Sequence, residues 1–167
     1  MKTIRNNVFE TNSSSSHSLC IGVSNKLNNS YLTVDYIDNH VHVEFGEFGW
    51  GYERTTDQYD KLSYLVTMLV ETEGNSCKSM QDLYNTEGFN AINEVIKEHC
   101  KCDGIIIDSI VGPASWNENY LDHDGYIDHQ SCEDYSTIQD FLDDYGTTVE
   151  QFIFNSDVIL IIDNDNH

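Results

Sequence analysis

The sequence predicts an α+β fold in a single domain covering residues 1–167: a mixed β-sheet, two amphipathic helices and one or two short C-terminal helices. Three observations predict it. Two segments repeat apolar residues at three- and four-residue spacing, the helical period. Residues 105–107 and 158–162 are unbroken runs of Ile, Val and Leu, as in strands covered on both faces. Finally, 39% hydrophobic residues, with ten Tyr, seven Phe and two Trp, are too many for a disordered acidic tail, and 167 residues suffice for one core without staples.

Taken in order, residues 19–23 and 31–37 read as strands, and a turn at Asp38-Asn39 leads into residues 40–45, where polar and apolar positions alternate as in a half-exposed strand. Residues 46–52 are broken by three glycines and read as a loop. A helix follows, capped by Thr56 or Asp57, with Tyr59, Leu62, Leu65, Val66, Leu69 and Val70 on one face and a stop at Gly74-Asn75. A second helical region over 80–99 carries Leu83, Phe89, Ile92, Val95 and Ile96 and is interrupted near Gly88. Residues 105–107 and 158–162 are the expected interior strands. Residues 111–124, with the only proline, Pro113, read as a loop. A short helix over 137–145, capped by Ser136 and stopped by Gly146, and another over 148–154 complete the chain.

Charge is distributed unevenly. The last Lys or Arg is Lys101, and residues 113–167 carry thirteen Asp and Glu against none, within a formal net charge of -21. Such a field repels nucleic acid and anionic membranes and attracts basic protein surfaces. Eight cations are too few to line a groove for DNA or RNA, so neither direct nucleic-acid binding nor membrane association is expected. Residues 1–7 lack the apolar core of a secretion signal, and no apolar run reaches membrane-spanning length, so the expected location is cytoplasmic. Five Cys without framework spacing read as reduced thiols.

The most distinctive motif opens the chain: Arg5-Asn6-Asn7-Val8-Phe9-Glu10-Thr11-Asn12-Ser13-Ser14-Ser15-Ser16-His17-Ser18. It resembles the start of a group of small proteins of bacteriophages and mobile elements that open with an Arg and then Phe-Glu-Thr-Asn-Ser-Ser-Ser, one variable residue and His-Ser. Arg5, Glu10, Asn12, Ser13, Ser14, Ser15, His17 and Ser18 are the matching positions. The resemblance implies a phage or mobile-element origin, hence a host cell's cytoplasm, and no mechanism. Read as chemistry, Asn12, Ser13, Ser14 and Ser15 offer hydroxyls and unobstructed amides to an anion, with Arg5 to neutralise it and His17 to move a proton. A Ser-rich run equally forms a solvated loop whose side chains make local turn bonds.

A second polar cluster, Asp122-His123-Asp124-Gly125-Tyr126-Ile127-Asp128-His129, mixes imidazoles and carboxylates. A divalent metal at Asp122, Asp124 and His129 is conceivable chemistry, but the calcium-loop spacing is absent and no metal or other cofactor is expected. His129-Gln130-Ser131 resembles one half of a two-histidine phosphoesterase signature whose other half is missing. His40 and His42 share a strand face within reach of Glu44 or Glu47, and His99-Cys100-Lys101-Cys102 puts two thiols two apart; neither has the complement a metal site requires. Phosphate-loop, dinucleotide and nucleophile-elbow motifs are missing.

Two functions fit these observations. The first is a phage-encoded inhibitor, of anti-defence or host-takeover type, which occupies the nucleic-acid-binding surface of a basic host or defence protein. Its partner-binding residues would be Glu133, Asp134, Asp140, Asp143 and Asp144, with Tyr135 and Tyr145 as anchors. The second is a small enzyme acting on a phosphorylated, nucleotide-like ligand, with Arg5, His17 and His129 catalytic and Asn12, Ser13, Ser14 and Ser15 holding the anion. A strongly acidic protein draws no anionic substrate from a distance, which favours the first.

Overall fold

The computed structural model of the protein describes residues 15–22, 24–49, 51–109, 111–114, 117–132 and 134–164. At its centre lies α1 (Gln58–Thr72), in which every residue from 61 to 70 is buried. A helix covered all round must satisfy its polar side chains internally. Here the Gln58 amide donates to the Asn29 carbonyl, Ser63 to the Glu44 carbonyl, Thr67 to the Ser63 carbonyl, and the fully buried Lys61 ammonium to the Asn155 carbonyl at 2.9 Å. Asp57 is the cap, accepting from the amides of Tyr59 and Asp60.

The remaining elements surround that helix. In one antiparallel sheet β9 (Val158–Asn164) lies between β1 (Ser15–Ile21) and β4 (Glu53–Thr55). Two parallel pairs join distant segments: β2 (Val41–Val43) with β5 (Ile105–Ile107), and β3 (Glu47–Phe48) with β8 (Tyr126–Ile127). A hairpin is formed by β6 (Val111–Ala114) and β7 (Asn117–His123). The helices α2 (Met80–Tyr84), α3 (Glu87–Cys100), α4 (His129–Cys132), α5 (Ile138–Asp144) and α6 (Val149–Phe154) complete the fold. Of these, α3, α4, α5 and α6 pack directly on α1, around one hydrophobic core. The fold is α+β, with parallel and antiparallel pairs divided among separate ladders.

Several elements depart from expectation. Residues 31–37 form no strand: Val34 makes one bridge to Val41, and the chain turns over residues 36–38. Residues 111–124 are the β6–β7 hairpin rather than a loop, with Pro113 in a strand paired on one side, where its missing N–H is tolerated. The glycine-broken 46–52 segment contributes β3. The break in the second helical region falls at Asn85, and Gly88 lies inside α3, where the ends of the Glu73 and Leu69 side chains would have to shift to admit a β-carbon. The cap of α5 is Thr137, not Ser136. The apolar runs are covered unequally: Val158, Leu160 and Ile162 are buried, whereas Ile159 and Ile161 on the other face are half-buried, and among the described residues β5 pairs with β2 alone.

At the start of β5 a close approach demands glycine. Gly104 has φ +131, and the side-chain oxygen Oδ1 of Asn93, which accepts from the Ile105 amide, occupies the place of a β-carbon.

Candidate functional site

Two places matter, an acidic surface and a buried histidine, and they meet at Tyr145. The acidic surface runs from Asp134 through α5. Asp134, Asp140, Asp143 and Asp144 are all exposed. Asp140 forms a capping box: its carboxylate accepts from the Thr137 amide at 3.0 Å, while the Thr137 hydroxyl accepts from the Asp140 amide at 3.1 Å. Asp143 accepts from the Gln139 side chain at 2.6 Å and Asp144 from the Tyr135 hydroxyl at 3.1 Å. Asp143 and Asp144 end their helix, where the backbone dipole disfavours negative charge, and no basic residue occupies that turn. That penalty opposes the bonds that the two carboxylates accept from Gln139 and Tyr135.

Tyr135 and Tyr145 are half-buried and face inward. Both rings pack edge-on against Phe141, with centroids 5.5 and 5.3 Å away, and Tyr145 donates to the His17 carbonyl at 3.0 Å. Burial, then the neighbouring Tyr145, then Asp144, push the Tyr135 hydroxyl well above its ordinary value. Burial and Asp144 push Tyr145 up as well. Their phenolic oxygens are committed to this protein, which leaves ring edges for any partner.

His17 lies in β1 opposite Ile162, and is buried. Its Nδ1 is 3.0 Å from the Tyr64 hydroxyl, and Tyr64 is a fully buried hub in ring contact with Phe48, Phe141 and Phe152. Burial lowers the His17 pKa to about 4, against the opposing pull of the Asp128 charge. At neutral pH the ring is therefore uncharged. Its Nε2 has no hydrogen-bond partner among the described residues, and neither have the hydroxyls of Ser131 and Thr147. A buried neutral imidazole held by a core tyrosine is badly placed to exchange protons with a ligand from solvent.

Arg5, Asn12, Ser13, Ser14 and Glu133 lie outside the described residues, and so do the side chains of Ser15 and His129. Asp122 and Asp124 are exposed. Among the described residues no group of three or more His, Cys, Asp or Glu side chains converges as metal ligands would.

The remaining histidine and cysteine clusters are engaged structurally. His99 stacks on Phe154, with centroids 4.2 Å apart, and pairs with Glu150 at 2.7 Å; Cys100 bonds to Ser30 and Cys102 to the Gly104 carbonyl. His42 bonds to neither Glu44 nor Glu47. Its Nδ1 meets Asp108 at 2.9 Å and its Nε2 meets Asp38 at 2.8 Å, and these bonds, Asp108 first, raise its pKa above the usual histidine value. This Asp38–His42–Asp108 clamp was hidden from the sequence because Asp108 is 66 residues away, though Asp38 lies four residues before His42.

No protein-family model matches the sequence, and comparison with curated proteins and with solved structures finds no match.

Proposed function

We propose that this protein is an acidic binding protein that occupies the basic, nucleic-acid-binding surface of another protein. The observation that carries the reading is the α5 surface. Asp134, Asp140, Asp143 and Asp144 are exposed along eleven residues that contain no Lys or Arg, two of them at a helix end that disfavours them. Among the described residues the one ion pair between a Lys or Arg and a carboxylate is Lys97 with Glu94. Carboxylates left without cations are available to a cationic channel that normally takes one phosphate per about 1.7 Å of duplex. The resemblance of residues 5–18 to phage proteins suggests what the partner is: a host enzyme or defence nuclease met in the cytoplasm. The enzyme alternative is weakened at His17, which is buried and bonded to Tyr64.

The test starts from a pull-down in host lysate at 0.1 M salt, with the retained protein identified and purified. A DNA or RNA duplex and this chain should then exclude one another from that protein. Affinity should fall steeply up to 0.5 M salt, as the Debye length shrinks from about 10 Å at 0.1 M towards 3 Å at 1 M. The double change Asp143→Asn with Asp144→Asn should slow association severalfold and affect dissociation less. Simultaneous binding of duplex and protein, or affinity indifferent to salt, would discard the reading.

A further inference from the structure

An aromatic turn lies on a surface far in sequence from α5. Tyr36 is 93% exposed and Ile37 78%, at the corner of the turn that leads into β2. Turn corners favour Gly, Asn, Asp, Ser and Pro, and a β-branched residue and a large aromatic there gain nothing from folding, since neither is removed from water.

The turn that displays them is tightly built. The Asp35 amide donates to the His40 carbonyl at 2.8 Å and the Asn39 amide to the Asp35 carbonyl at 3.0 Å. The Asp35 carboxylate accepts from the Ile37 amide, and the Asp38 carboxylate from the His40 amide. Asn39 takes a left-handed conformation, φ 60, and its carbonyl accepts from the Asp103 amide. The Asp38–His42–Asp108 clamp then fixes the turn to the strands behind it. The polar side chains of the turn hold its shape and the two apolar ones project. Beside it, His42 and Val41 help to line a cavity of about 260 Å³ flanked by the exposed rings of Tyr31 and Tyr59, with Leu32 and the Asp57 carboxylate completing the wall.

We propose that this turn is a preformed anchor: Tyr36 and Ile37 enter an apolar cleft, rimmed by Lys or Arg, on a basic protein partner. The inference rests on the reading above that the partner is basic. Charge decides the occupant. Asp35, Asp38, Asp57 and Asp108 surround the turn and cavity, and a second copy of a chain carrying -21 brings the same sign. A cationic partner meets all of these carboxylates favourably. A rigid turn presenting Tyr loses little entropy on binding, the economy that makes tyrosine a common hot spot.

The experiment places the photo-crosslinking residue p-benzoylphenylalanine at position 36, irradiates cells that produce the protein and sequences the joined peptides. The expected product is one partner protein, joined at an apolar segment flanked by Lys or Arg. Purified, that partner should lose at least about tenfold in affinity for the double variant Tyr36→Ser with Ile37→Ser. The slope of affinity against salt and the melting temperature of the variant should stay unchanged, because both side chains are already in water. No crosslink, a crosslink only to a second copy of this chain, or unchanged affinity of the double variant would overturn the anchor. The two readings fail separately. Affinity that falls with salt yet ignores Tyr36 and Ile37 keeps the acidic mimic and removes the anchor; affinity that needs them yet ignores salt removes the mimic and the Lys or Arg rim and leaves only the apolar contact of Tyr36 and Ile37.

Discussion

His17 shows how a residue chosen for one role is given another by its surroundings. In sequence it follows a Ser run and invites assignment as an acid or base. In the fold it is buried in β1, bonded to the Tyr64 hydroxyl, with a pKa lowered to about 4. That shift has a sign for stability. The unfolded chain binds a proton on this residue near pH 6.5 and the native protein does not until about 4, so the stabilisation is complete above 6.5 and drains away as the pH falls. Over the whole window this amounts to about 3 kcal/mol, and about 2 kcal/mol of it is gone by pH 5, before most carboxylates titrate. Chemical denaturation of the wild type and His17→Phe at pH 7 and pH 5 measures it. The wild type should lose that amount more than the variant, which keeps an aromatic ring and has no proton to bind. Equal losses in both proteins would mean that His17 is not the buried neutral group described.

At the scale of elements, the parts that the sequence made legible are those whose determinants are local. The cap of α1, the presence of a helix ending at Phe154, the stop at Gly74 and the apolar spacing within α1 and α3 are all readable from neighbours a few residues apart. The errors come from partners far along the chain. Residues 31–37 have β composition, but β2 spends its pairing on β5, 64 residues on, which leaves Val34 one bridge. The β6–β7 hairpin was invisible because β7 is mostly polar and β6 contains Gly112 and Pro113, and only their mutual register reveals them. The alternation in β9 was masked because the whole run is apolar, and only the packing says which face is covered. Likewise α1 reads as amphipathic while it is buried all round, its polar residues having found carbonyl partners. For the candidate site, the acids of α5 were legible as composition, whereas the inward commitment of Tyr135 and Tyr145 depends on Phe141, Asp144 and the distant His17 carbonyl. Local determinants carry local energies. Thr137→Ala removes one half of the α5 capping box and should cost about 1 kcal/mol in denaturant unfolding. An unchanged midpoint would show that Asp140, accepting from the amides of Ser136 and Thr137, holds the helix start alone.

For the molecule as a whole, the charge that suits binding works against folding. Twenty-nine Asp and Glu face eight Lys and Arg. Of those cations, Lys61 is spent on the Asn155 carbonyl, and Lys97 with Glu94 is the one Lys or Arg ion pair with a carboxylate among the described residues. The native state therefore gathers like charges that the unfolded chain spreads apart, and the core beneath α1 must offset their repulsion. Screening relieves it. Raising sodium chloride from 0.01 to 1 M shortens the Debye length from about 30 to about 3 Å and should raise the melting temperature by several degrees. Over the same range, attraction to a basic partner is screened away and affinity should fall. A thermal melt and a binding titration across one salt series should thus move in opposite directions. A melting temperature that falls with salt would mean that the carboxylates are held by attractive networks within the fold, and acids held in that way would have little charge to offer a partner.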